Sequence, residues 1–157
     1  VTEERATRTI PPVIYMLRHA EAEKGDGDDA ARRLTPKGEL QSEAAGRALA
    51  ALGARIDACL TSPKVRAADT ARLACEPLGV DPETADELAE TFDALGLSAG
   101  RGDVLLVGHN PDFNTEVTRI TGANVKLRKG GLAIIDGSTL LALLRPEDLA
   151  AIGARSV

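Results

Sequence analysis

A chain of 157 residues in which 43% are hydrophobic and only 2% aromatic must build its core from leucine, valine, isoleucine and alanine, which favours helices packed on an aliphatic sheet. Its formal charge of −5 excludes a general affinity for nucleic acid or an anionic membrane, because nothing in the total would release phosphate counterions. A polar N-terminus without an apolar signal core, and the lack of any apolar run near the ~20 residues of a membrane span, lead us to expect a cytoplasmic protein.

The first 12 residues read as an N-terminal extension, and no linker-like stretch divides residues 13–157, so one domain is expected there. "VIYML" at 13–17 is a short apolar run of the kind found in a strand buried on both faces. A loop rich in Asp, Gly and Arg follows from Ala20 to Leu34, long enough to cover or flank a site. Over 35–53, Leu40, Ala44, Ala45, Ala48, Leu49 and Leu52 recur at helical spacing. "DACLT" at 57–61 is a second buried strand, leading into a helical segment at 62–79. The glycines around 96–102 precede a strand instead of following one and so form no dinucleotide fingerprint. That strand, "DVLLVG" at 103–108, leads to a third helix at 110–122. "GGLAIIDGSTLLALL" at 130–144 closes the pattern as a hairpin turning at Asp136-Gly137. The alternation predicts an α/β fold, a three-layer sandwich whose mostly parallel central sheet is flanked by helices. Cys59 and Cys75 lack the spacing of a zinc or redox motif and are read as reduced core residues.

Thr35-Pro36, Ser62-Pro63 and Asn110-Pro111 each pair a good N-cap with a proline suited to a first helical turn. In a parallel sheet, helix starts that follow strands gather at the carboxyl edge, where their N–H groups favour an anion. The chain's two histidines, His19 and His109, follow the first and third strands and are therefore expected at that same edge. Arg18 stands beside His19, and Arg66 is placed in a first helical turn, where a positive charge opposes the helix dipole unless an anion is held there. Two arginines and two histidines make a phosphate cradle, and a neutral imidazole is a competent nucleophile near pH 7. Metal binding by the histidines is disfavoured by the arginines and by the lack of a carboxylate ligand pattern, so neither metal nor cofactor is expected.

"LRHAEAE", "LTPKG", "TSPKVRAADTA" and "LVGHNP" together resemble the histidine phosphatase superfamily, the group with the phosphoglycerate-mutase-like fold. The motifs occur in the family's order, and the short length with "LTPKG" and "KGGLAIID" is most similar to the SixA-type phosphohistidine phosphatases. The resemblance implies a single histidine phosphatase domain over 13–157, with His19 as nucleophile and Arg18, Arg66 and a protonated His109 binding the phosphoryl oxygens. Ser62 and Asn110 are expected to act only in positioning. The family's glycine after the nucleophile is Ala20 here, a modest constraint on the turn. The proton donor has three candidates, Glu87, Glu90 and Glu21, and the sequence does not choose among them.

An uncertain acid suits a phosphoramidate, whose nitrogen leaves with little acid help. The leading expectation is a metal-independent phosphatase acting on phosphohistidine of a signalling protein. The alternatives are a small-molecule phosphomonoesterase of the same superfamily and a phosphate-binding module without turnover. Whether Arg33, Lys126, Arg128 and Lys129 border the site and draw in an acidic phosphoprotein, or are scattered solvated charges, stays open.

Overall fold

A computed structural model describes residues 12–25 and 27–155. Of the expected N-terminal extension only Pro12 falls within them. Six strands form one sheet in the order β3-β2-β4-β1-β5-β6. They are β1 (Val13–Arg18), β2 (Ala58–Thr61), β3 (Pro82–Thr84), β4 (Val104–Gly108), β5 (Leu132–Asp136) and β6 (Thr139–Leu144). Pairings β1/β4, β2/β4 and β2/β3 are parallel, and β5 runs antiparallel to both neighbours. The helices are α1 (Pro36–Ala51), α2 (Val65–Cys75), α3 (Ala94–Ser98), α4 (Asp112–Thr121) and α5 (Pro146–Gly153). None of the described helices is long and apolar enough to cross a membrane.

Side chains alternate along each strand, which sorts the core into two layers. Tyr15, Leu17, Cys59, Leu105 and Val107 pack against Ala45, Ala48 and Leu49 of α1, Ala71 and Ala74 of α2 and Leu149 of α5. Ile14, Met16, Leu60 and Leu106 face the opposite way, onto Phe113 and Val117 of α4 and the segment carrying Leu88 and Phe92. This is the three-layer α/β arrangement expected, with β1 and β4 at its centre. Cys59 and Cys75 are buried as free thiols.

Four details differ from the sequence reading. Leu40 and Leu52 are 63% and 51% exposed, because the sheet and α5 cover only the middle of α1, where Ala44 to Leu49 lie. Ser62-Pro63 does not begin α2 directly: Ser62 Oγ accepts from the Lys64 N–H (3.2 Å), and the helix starts at Val65. α4 starts at Asp112 instead of directly at Asn110-Pro111, although Asn110 Oδ1 still accepts from the Asn114 N–H (3.2 Å). The hairpin turns at Gly137-Ser138, since Asp136 is itself paired with Thr139. Gly137 takes a φ of 65°, which suits glycine at the first central position of a two-residue turn.

α1 and α2 cross closely at Gly46, where an added Cβ would overlap the Ala74 carbonyl and meet Pro77. Alanine gains about 1 kcal/mol over glycine in helix propensity, whereas overpacking against a fixed backbone costs about 1–3 kcal/mol. Gly46→Ala is therefore expected to destabilise the fold, measured as a lower urea midpoint with unchanged slope.

Candidate active site

The register of the central strands assembles the site. Arg18 lies opposite Gly108 across the β1/β4 pair, so the next residues, His19 and His109, emerge side by side at the carboxyl edge. The His19 N–H donates to the Gly108 carbonyl (2.9 Å), which locks the two strand ends together. Their rings lie 5.2 Å apart between centroids. β2 ends beside them, and Ser62 Oγ stands 2.8 Å from His109 Nε2.

His19 Nδ1 is 2.8 Å from the Ala20 carbonyl. A carbonyl only accepts, so Nδ1 carries the proton and Nε2 keeps its lone pair. Ala20 itself is fully buried, its N–H donating to Thr70 Oγ1 (3.1 Å), and no described residue other than glycine takes a positive φ. The turn after His19 thus makes no demand that alanine cannot meet.

Arg18 donates through Nη1 to the Leu127 carbonyl (2.9 Å), and Asn110 Nδ2 donates to the same oxygen (2.9 Å). Asn110 Oδ1 also receives the Asn114 N–H, so one side chain links the start of α4 to the Arg18 anchor. Arg66, in the first turn of α2, is only 5% exposed. Its Nη1 donates to the Asp29 carbonyl (2.8 Å), and its Nη2 reaches the Asp29 carboxylate (3.3 Å). Arg66 and, to a lesser degree, Lys64 hold that carboxyl below its usual range.

Asp29 is the contact the sequence reading missed. It belongs to the Ala20–Leu34 loop, which lies against α1: an added Cβ at Gly38 would overlap the Glu21 carbonyl. The loop does flank the site, but three aspartates at 26, 28 and 29 gave no basis for choosing the one that meets Arg66.

Three of the four predicted residues contribute a buried nitrogen without a partner: Arg18 Nε, Arg66 Nε and His109 Nδ1. The two guanidinium Nε–H groups are donors, and unsatisfied donors at such depth are costly and suit an incoming anion; His109 Nδ1 joins them as a donor in the tautomer whose Nε2 accepts from the Ser62 hydroxyl. Among the described residues, none of the candidate carboxylates makes a hydrogen bond or ion pair with these four side chains. Glu87 and Glu90 are exposed on the turn that carries Leu88, whose carbonyl lies near Gly108. Glu21 Oε2 instead receives the hydroxyl hydrogen of Thr35, the N-cap of α1 (2.8 Å).

Burial pushes the His19 imidazole down to about 4, with Arg66, Arg18 and Lys129 adding to the effect against the Ala20 carbonyl. Burial likewise takes His109 down to about 3, reinforced by His19, Arg66 and Lys64. Both rings are therefore neutral at pH 7. For His109 this corrects the expectation of a protonated ring: the surrounding cations disfavour a further charge, and only an anion beside it would reverse that balance.

A consequence for stability follows from the sign of these shifts. In the unfolded chain both imidazoles take up protons near pH 6.5, while the folded protein keeps them neutral to about 4 and about 3. The unfolded state binds more protons in that window, so stability is full above it and falls as the pH drops, by about 1–2 kcal/mol per imidazole at pH 5. The urea midpoint at pH 5 should lie clearly below that at pH 7.

The residues matched by the family model "Histidine phosphatase superfamily (branch 1)" are 14–101, which include Arg18, His19 and Arg66. A curated but uncharacterised protein of Picosynechococcus sp. is 33% identical to this chain, over 76% of this chain and 81% of its own length. The chain belongs to the histidine phosphatase superfamily. It is accordingly a phosphatase, a hydrolase of phosphorylated compounds. A solved structure assigned as the phosphohistidine phosphatase SixA of Agrobacterium tumefaciens superposes with a TM-score of 0.77 at 27% identity, over 87% of this chain and 99% of that one. The protein histidine phosphatase SixA complexed with tungstate gives the same TM-score at 23% identity and the same coverage. An Escherichia coli protein assigned as an alpha-ribazole-5'-P phosphatase shares the fold at a TM-score of 0.65 and 17% identity, over 86% of this chain and 96% of that one. This histidine phosphatase thus shows the phosphoglycerate-mutase-like architecture expected of it, and its second histidine, His109, lies beyond the matched segment.

Proposed function

We propose that residues 13–157 form one cytoplasmic phosphatase domain that removes phosphate from histidine on a signalling protein, through a phosphohistidine on His19. The observation that carries this reading is the His19 ring held by the Ala20 carbonyl so that Nε2 is unprotonated, in a ring neighboured by Arg18, Arg66 and His109, each of which has a buried nitrogen without a partner.

In the first step His19 Nε2 bonds to phosphorus while the substrate's P–N bond breaks in line. The leaving imidazole departs with that electron pair and is neutral once its other nitrogen has a proton from solvent. His19 is left as a phosphoimidazolium, still donating from Nδ1 to Ala20, and this cationic ring is a good leaving group. In the second step water attacks phosphorus, the N–P bond breaks back to His19, and the water's proton leaves with phosphate or solvent. Arg18, Arg66 and His109 stabilise the three equatorial oxygens in both steps. A phosphoramidate needs no dedicated acid, which agrees with the solvent-exposed Glu87 and Glu90 and with Glu21 spent on the cap of α1. The polypeptide substrate is supported by the SixA-assigned neighbour and by the slight cover over the site: between β3 and β4 lie only a short turn and the five-residue α3.

The test is rapid-quench mass spectrometry with a histidine-phosphorylated carrier protein. Acid-labile phosphate should appear transiently on His19 before free phosphate accumulates. Labelling by small phosphoesters alone would remove the protein substrate, and no label under any condition would remove the covalent route.

A further inference from the structure

A cleft of about 680 Å3 opens beside the active site between the start of α1, the start of α5 and the segment before β5. Arg18 is among its lining residues, so the cleft adjoins the candidate active site. Leu40, Ala44, Pro146 and Ala150 supply its apolar lining. Leu40, a residue whose spacing suggested the core, stands 63% exposed there. Lys37, Arg128 and Lys129 line it as well, with Glu147 as the one acidic residue. Arg33 and Lys126 are exposed away from it.

The charge is the informative part. The chain as a whole has 19 basic and 24 acidic residues, yet this cleft gathers four cations against one carboxylate. Those cations are not consumed by internal pairing: the nearest acid to Lys37 is Glu21 at 4.0 Å, and Arg128 meets Glu147 at 3.9 Å, with 70% of the Lys37 and 66% of the Arg128 side chain exposed. Pairs that long and exposed contribute little and leave the charges available. Lys129 is also close enough to His19 to depress its protonation, so the cleft and the reacting nitrogen share one field. Long basic side chains around an exposed leucine fit an acidic segment that also presents an apolar residue.

We propose that this cleft docks an acidic stretch of polypeptide flanking the phosphorylated histidine of the substrate, with Leu40 as its apolar anchor and Lys37, Arg128 and Lys129 as its charge readers. The inference rests on the polypeptide substrate proposed above and adds the chemistry by which that substrate is selected.

Two synthetic peptides test it, each carrying one phosphohistidine and differing only in whether glutamates or lysines flank it. The glutamate peptide should be hydrolysed with a kcat/KM about tenfold or more above that of the lysine peptide, a ratio that added salt diminishes. In the double variant Lys37→Glu/Arg128→Glu the ratio should fall to about one or invert, and Leu40→Asp should raise KM for the glutamate peptide more than it changes kcat. Equal kcat/KM for the two peptides with the unmodified protein would overturn the docking surface while leaving the phosphatase reading in place. A preference that survives the double charge reversal would overturn it too. Hydrolysis of free phosphoramidate with neither peptide cleaved would remove the polypeptide substrate itself, and the docking surface with it.

Discussion

His19→Ala is expected to form no phosphoenzyme and to lose about 10^4-fold or more in kcat on a phosphohistidine substrate, the scale of removing a nucleophile that acts as part of a unit. The fold should survive, because the side chain's hydrogen bond is a local one to Ala20, and the strand-locking bond from His19 belongs to its backbone. His19→Asn sharpens the test. Its amide can still donate to the Ala20 carbonyl but offers no nucleophilic nitrogen where Nε2 was, so it too should be inactive. Both variants also remove a buried imidazole that the unfolded chain would protonate, and their stability should decline less than that of the parent between pH 7 and pH 5. Full activity in either would remove His19 from the nucleophile role.

Arg66→Ala should reduce kcat/KM by about 10^2 to 10^3-fold, some 3 kcal/mol of transition-state stabilisation, by comparison with loss of one oxyanion donor. Arg66 is buried yet bonds on one side only to Asp29, leaving Nε for an anion. Arg66→Lys keeps the charge but not the fork that grips two oxygens at once, so it should recover only a small part of the loss. The phosphoenzyme formation rate is the direct measurement. If Arg66 served only to anchor the loop, Asp29→Ala would reproduce the whole effect; a much smaller effect of Asp29→Ala places the arginine on the phosphoryl group.

That Arg18, His19, Arg66 and His109 come to one edge was legible in the sequence because strand ends and helix starts are local features, and a parallel sheet brings local features of the same kind together. Leu40 was misread for the complementary reason. Helical spacing shows which residues share a face, but not how far along the helix its neighbours extend: α5 packs on the backbone at Ala44 and Ala48, while Leu40 stays largely exposed. β3 was missed because an edge strand of sequence Pro-Glu-Thr has no apolar run to announce it. α5 was overlooked although Pro146 and the Arg145–Asp148 capping contacts mark its start, since its eight residues carry too few turns for a periodicity. Asp29 could not be singled out, because its partner is 37 residues away and only the closed loop brings them together. The neutral state of His109 depends first on burial and then on neighbours such as Arg66 and Lys64, none adjacent in the chain.

The single backbone bond from His19 to Gly108 joins the two most central strands, and the Gly130 N–H bonds to the carbonyls of both Arg18 and His19. Amide protons in such positions exchange with solvent only when the sheet itself opens, whereas the exposed 27–31 segment that supplies Asp29 can open alone. Hydrogen exchange at His19 should therefore proceed at the rate of global unfolding and that around Asp29 far faster. The proposed nucleophile is thus expected to sit on the last part of the molecule to come apart, and heating should extinguish phosphoryl transfer only as the sheet is lost.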